Sequence, residues 1–243
     1  MKEKTSALIL FTLSPEAEGR RKPLGLGCPE RAAAVFAAFR RHLESVCSNL
    51  PGVALLLSTP DEPSSAAKPL PQRGTHFGES LRLAVEDAFS MGYERVVVIG
   101  NDAPEISRSY LLKAFRRLEE GGSRAAVVGP ARDGGYALLG LTRPCPQAFD
   151  SIPWGSRRVF RLTESRLKDS NFRVDRLPTL EDIDSPANLL RFIARARRGA
   201  LAHLARELAS VFATTRPKIA PTVDRYLEIL LSGWLAPRAP PAH

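Results

Sequence analysis

Four short apolar runs separated by stretches with helical spacing constrain this chain more than any other feature. The runs are SALILFT (6–12), GVALLLS (52–58), RVVVIG (95–100) and RAAVVGPA (124–131). Each has the length of a buried strand. Between them lie RAAAVFAAFRRHLESV (31–46), GESLRLAVEDAFSMG (78–92) and SRSYLLKAFRRLEEGG (107–122), whose apolar residues recur at helical intervals. Ser107 is the expected N-cap of the last of these. Such alternation predicts an α/β fold, a mainly parallel mixed sheet flanked by helices. YALLGL (136–141) follows the fourth run too closely for a helical crossover, so an antiparallel or bent strand is expected there. Farther on, a helix after Trp154, a strand FRVDRLP (172–178), a turn EDIDSP (181–186) and a helix ANLLRFIARARR (187–198) are expected. The Pro- and Gly-bearing stretches 14–30 and 59–74 are expected to be loops.

The expected domains are a transferase-sized unit over 1–198, a helical extension over 199–235 and a disordered tail over 236–243. The extension holds two further helical patterns, ALAHLARELASVFA (200–213) and TVDRYLEILLSGWL (222–235).

The chain of 243 residues carries a net charge of +9. Nine Lys/Arg against three Asp/Glu from Arg191 onward place much of this charge in the C-terminal part. A basic chain suits nucleic acid, an anionic membrane surface or phosphorylated small molecules. No RNA-binding aromatic pattern, helix-turn-helix signal or zinc-finger spacing accompanies the charge, so nucleic acid is not the expected partner. No apolar run approaches the ~20 residues of a membrane span, and no signal-peptide core is seen. A cytoplasmic location is therefore expected. Cys28, Cys47 and Cys145 form no C-x-x-C pair and are expected to be reduced thiols.

Acids gather where strands end. In open α/β sheets ligands bind beyond the carboxyl ends of the strands. Asp102, two residues past the third run, stands there as a cation ligand or as a helix cap. Asp133 precedes a Gly-Gly turn in GPARDGGYALLGL (129–141), as a general base or as the cap of that turn. IPWGS (152–156) offers Trp154 for stacking or for the core. Asp184 lies just before Ser185-Pro186, a helix start.

GNDAP (100–104), GPARDGGYALLGL, IPWGS and DIDSPANL (182–189) occur in this order. Together they resemble a bacterial transferase family found beside radical-SAM and selenium-related genes, labelled as arsenosugar biosynthesis glycosyltransferase. The resemblance covers roughly residues 6 to 195. It implies a glycosyltransferase-A-like, nucleotide-diphospho-sugar transferase fold and a metal-dependent glycosyltransferase. The donor would be a nucleotide sugar and the acceptor a small molecule. The alternatives are a nucleotidyltransferase that releases pyrophosphate from an NTP, and a non-catalytic homologue that binds a partner.

Carried over by residue, the resemblance makes Asp102 and Asp184 ligands of Mg²⁺ or Mn²⁺, with Asp182 in support. Asp102 and Asp133 become the catalytic acids. Gly100, Asn101, Gly134, Gly135, Tyr136, Trp154 and Ser156 line the nucleotide or substrate site, and Lys22, Arg20 and Arg21 face phosphates. The sequence departs from the family in its first loop. Leu13 stands where a lysine is expected, and Pro23-Leu24 where Thr-Arg is expected. His76 replaces an acid in QRGTHFGE (72–79). A nucleotidyltransferase must neutralise the charge of departing pyrophosphate, so the lost cations weigh against that alternative.

Overall fold

The computed structural model describes residues 5–60 and 67–213. By internal contacts the chain divides into two units. The first comprises residues 1–14 and 39–182, and the second residues 15–38 and 183–243.

The first unit is built on a seven-stranded sheet. Its strands are β1 (Ser6–Phe11), β2 (Val53–Ser58), β3 (Lys68–Pro69), β4 (Arg95–Ile99), β5 (Ala125–Pro130), β6 (Tyr136–Leu141) and β7 (Arg173–Arg176). They lie in the order β3-β2-β1-β4-β6-β5-β7. β6 runs antiparallel to both β4 and β5, while the other neighbours pair in parallel. The short link from β5 leaves β6 no other direction, as expected from sequence. The order reverses between β1 and β4, so the carboxyl ends of these strands flank a topological switch point.

Alternation along the strands feeds two cores. Leu8, Leu10, Val97, Ile99 and Val127 pack with Leu43, Leu111 and Phe115. Ala7, Ile9, Val96, Val98 and Val128 pack with Leu81, Val85 and Leu167. Both faces of the sheet are therefore covered, which explains why its strands read as continuous apolar runs. The covering helices are α3 (Phe77–Ser90), α4 (Arg108–Glu120), α5 (Val159–Asp169) and the later part of α2 (Pro29–Cys47). Ser107 caps α4 as expected, accepting the Tyr110 N–H.

In the second unit lie α1 (Pro15–Arg21), the start of α2, α6 (Pro186–Ala196) and α7 (Ala202–Ala213). α1 occupies the stretch expected to be loop. Pro15 opens it, Glu16 and Glu18 sit in its first turn and Arg20 and Arg21 in its last, an order that complements the helix dipole. Ser185 caps α6 by accepting the Asn188 N–H at 3.2 Å. α7 coincides with the first helical pattern of the expected extension. The second pattern (222–235) and the tail (236–243) lie outside the described residues. No helix among the described residues is long and apolar enough to cross a membrane.

Candidate functional site

The loops at the carboxyl edge of the sheet carry most of the acids singled out from sequence. β4 ends at Ile99, and Gly100, Asn101 and Asp102 follow. Asn101 is buried, and Asp102 is half-buried with its Oδ1 folded over Gly100. A ring nitrogen of His42 lies 3.1 Å from the Pro104 carbonyl and fastens this loop to α2. The cap of α4 is Ser107, so Asp102 is not spent as that cap.

Asp133 sits in the turn between β5 and β6. Gly135 donates its N–H to Asp133 Oδ1 at 2.7 Å, and the Gly134 N–H reaches the Ala131 carbonyl at 3.2 Å. The turn therefore uses one oxygen of Asp133 as its cap. Gly134 has φ 96° and lies against the backbone of Arg157. A Cβ at this position would come within 2.6 Å of the Arg157 Cα. The left-handed backbone and the close approach together require glycine. Phe160 donates its N–H to the Gly134 carbonyl at 2.9 Å, which seats the start of α5 on the turn. Ser156 belongs to the same seat, its Oγ accepting the Arg158 N–H at 3.3 Å.

The segment after β7 delivers a second acid to this turn. Leu177 N–H donates to Val128 O, Leu180 N–H to Pro130 O and Arg132 N–H to Leu180 O, which extends the β5 pairing as far as Ala131 and Leu180. Tyr110 donates its hydroxyl to Pro178 O at 2.8 Å. Burial pushes this phenol up to about 12, so it remains a donor. Asp182 follows, buried, with a carboxylate oxygen within 4.8 Å of one on Asp133. A hard cation binds oxygens at about 2.0–2.6 Å, so opposite ligands stand up to about 5 Å apart. The Asp133–Asp182 pair fits such an ion. Asp102 stands outside this pair.

Rings close another side of the edge. Trp154 meets Phe77 edge-on at 5.0 Å and Tyr136 at 6.3 Å, and Phe77 meets Phe11 at 5.8 Å. Trp154 packs on the apolar core, while Phe77 is 47% exposed. Among the described residues the buried Tyr136 hydroxyl makes no well-formed hydrogen bond; burial raises it well above the ordinary phenol value, against a smaller lowering by the Thr163 hydroxyl. His76 is the N-cap of α3, its Nδ1 accepting the Glu79 N–H at 3.3 Å.

In the second unit, Lys22 donates to Asp184 Oδ1. Arg21 is tied to Glu18 at 3.0 Å, and Arg20 is exposed. Leu24 is buried with φ 52°. The position at which the family has arginine is thus an apolar plug here.

Sequence reasoning placed Asp133 and Asp182 separately and missed that they meet. The signal lay in the spacing: Asp182 follows the last β7 residue by six positions, enough chain to run past Pro130 and reach the β5–β6 turn.

No curated protein matches the chain. A solved protein of Desulfovibrio desulfuricans G20, assigned as a candidate nucleotide-diphospho-sugar transferase, is 25% identical. The match covers 87% of this chain and 98% of that one, with a TM-score of 0.73. CMP:2-keto-3-deoxy-manno-octonic acid synthetase in complex with CTP is 15% identical over 83% of this chain and 99% of that one. Its TM-score of 0.51 marks a shared fold alone. Residues 45–156 match the family described as uncharacterized protein conserved in bacteria (DUF2064). The chain has the nucleotide-diphospho-sugar transferase fold that its motifs implied.

Proposed function

We propose that this transferase moves a glycosyl group from a nucleotide-sugar donor to a small-molecule acceptor with the help of Mg²⁺ or Mn²⁺. The observation that carries the reading is the approach of the Asp133 and Asp182 carboxylates at the carboxyl edge of the sheet. Likeness to the Desulfovibrio protein supports the donor class.

Asp133 and Asp182 would hold the cation. When bound, the cation supplies positive charge for the donor diphosphate. Gly100 and Asn101 would line the approach. Gly134, Gly135, Tyr136, Trp154 and Ser156 form the wall beside the sugar.

Asp102 receives the acceptor proton. As that proton leaves, the acceptor oxygen bonds to the anomeric carbon. The bond from that carbon to the diphosphate oxygen breaks, and the nucleoside diphosphate departs with the electron pair. The buried apolar Leu24 in the first loop favours this leaving group over pyrophosphate, because a nucleotidyltransferase needs more cations there.

The test is a panel of nucleotide sugars and NTPs, each with Mn²⁺, scored for thermal stabilisation and released product. Nucleoside diphosphate released from one nucleotide sugar is the expected result. Pyrophosphate released from an NTP would replace glycosyl transfer with nucleotidyl transfer. No stabilisation by any nucleotide would leave a binding protein on a transferase fold.

A further inference from the structure

A continuous row of rings crosses the carboxyl end of β4. Phe11 ends β1 and Tyr136 begins β6, and β4 lies between these two strands. Phe11 meets Phe77, Phe77 meets Trp154 and Trp154 meets Tyr136, all edge-on, so the row runs from β1 to β6. Ile99 is level with Leu10 of β1 on one side and with Leu138 of β6 on the other. Gly100, the next residue, therefore stands between the two ends of the row.

The position beside Gly100 is open. Apart from its chain neighbours, a Cβ there would meet only Asp102 within 4 Å, Oδ1 at 3.1 Å and Cγ at 4.0 Å. Val96 and Val98 share a core with Phe11, whereas Val97 and Ile99 face the other core. By this alternation Gly100 opens on the side of the rings. Phe77 and Met91 are the exposed large apolar side chains among the described residues, and Met91 caps the far end of α3. A lone exposed ring is ordinary on a protein surface, but Phe77 has an unused donor beside it. The Trp154 indole nitrogen lies against Gly78, the chain neighbour of Phe77. Among the described residues this N–H has no hydrogen-bond partner, and it is not one of the buried orphan groups, so it meets solvent.

We infer that Phe77 and Trp154 form a subsite for the acceptor, and that the acceptor is an uncharged hydroxylated ring, a sugar or cyclic polyol. The apolar face of the ring covers Phe77, and one of its oxygens accepts the Trp154 N–H. Asp102 borders the same opening, so the group presented to it must donate a hydrogen bond and carry no negative charge. A hydroxyl meets that demand, while a phosphate or carboxylate would oppose the Asp102 charge. The inference rests on the glycosyl-transfer reading, in which Asp102 receives the acceptor proton. The row also adjoins the wall assigned to the donor sugar, where an acceptor must lie for transfer. A nucleobase has a similar flat face and polar rim, so the experiment carries both kinds of ring.

The readout is the indole N–H resonance of Trp154 in the ¹⁵N-labelled full chain. The sequence has two tryptophans, and Trp234→Phe identifies which resonance belongs to Trp154. Methyl glucoside, methyl mannoside, methyl galactoside and myo-inositol are titrated in turn, with uridine, cytidine and guanosine in parallel. A saturable downfield shift with one of the polyols is the expected result. Phe77→Ala is expected to weaken that polyol about three- to tenfold, and Phe77→Tyr to leave it within about twofold. Trp154→Phe keeps a ring but removes the N–H, and is expected to weaken it about three- to tenfold by ligand-observed saturation transfer. No saturable shift with any polyol overturns the subsite, as does an affinity that neither Phe77→Ala nor Trp154→Phe changes. A shift with a nucleoside alone gives the row to the donor base and overturns the acceptor assignment. Nucleoside diphosphate release without a polyol shift strikes the subsite alone. A polyol shift with no release from any nucleotide sugar strikes the transfer reading alone.

Discussion

The Trp154 indole lies directly on Gly78, so that a Cβ there would collide with Nε1 and come within 2.7 Å of Cε2. Gly78 is the second residue of α3, where glycine is otherwise unfavourable. Its value is the space it leaves for the ring. Gly78→Ala is expected to push Trp154 off Phe77 and to cost roughly 1–3 kcal/mol, as overpacking does. Urea unfolding checks the cost, and a red-shifted tryptophan emission checks the displacement. Phe77→Ala removes a ring that is 47% exposed and is expected to cost less than Gly78→Ala. The reverse order would mean that Trp154 is held by Phe77 rather than by the glycine.

Asp182 and Asp102 are expected to fail in different ways. Asp182 is buried beside Asp133, so Asp182→Asn should weaken Mn²⁺ binding and raise the metal concentration needed for transfer. Asp102 stands apart from that pair at the end of β4. Asp102→Asn is expected to lower kcat by about 10²–10⁴-fold while Mn²⁺ affinity is kept. Manganese titration followed by paramagnetic resonance, alongside kinetics, separates the two. Loss of Mn²⁺ binding in Asp102→Asn would make Asp102 a ligand and move the proton transfer to another group.

The strands were legible because both faces of the sheet are buried. Runs such as Val96–Ile99 read as apolar throughout, and the short link between β5 and β6 fixed their antiparallel pairing. α1 was not legible from apolar spacing, since only Glu18 and Gly19 are buried in it. Pro15 at its start and its acid-to-base order were the readable signals. β3 is two residues long, and Pro69 within it is tolerated because the strand lies at the sheet edge. Such a pairing leaves no period to read. In the candidate site, each acid was visible from its motif, but the meeting of Asp133 and Asp182 depends on the Ala131–Leu180 bridge. That long-range pairing has no local signature.

His76 caps α3 with a ring nitrogen at 3.3 Å, a long bond for a cap, and only a neutral Nδ1 can accept it. A carboxylate there would accept the same N–H and also favour the positive helix end. His76→Asp is expected to raise stability by about 0.5–1 kcal/mol, read as a higher Tm at neutral pH. His76→Ala is expected to lower it. If both variants melt with the wild type, the cap bond contributes nothing. Glu79 adds to this start by accepting from both Thr75 N–H and Thr75 Oγ1, and these bonds hold its carboxyl below the ordinary value.

Glu164 on α5 receives both forks of Arg176 from β7, at 2.7 and 2.6 Å, and the guanidinium carbon lies 5.1 Å from the Phe160 ring centre. The Arg176 hydrogen bonds, with the charges of Arg176 and Lys168, hold the Glu164 carboxyl below its ordinary 4.5. A carboxyl lowered in the folded state contributes stability that is fully present above its unfolded value. The contribution is lost as pH falls through the lower folded value. Arg176 is raised and stays charged throughout this range. Glu164→Gln is therefore expected to cost about 1 kcal/mol at pH 7, since the carboxylate is buried but its partner is more than half exposed to solvent. The gap between wild type and variant should hold from pH 7 down to about 5 and narrow below about 4. Urea unfolding at closely spaced pH values checks this. A gap independent of pH would mean that Glu164 acts through packing alone, and a gap that widened in acid would reverse the assigned direction.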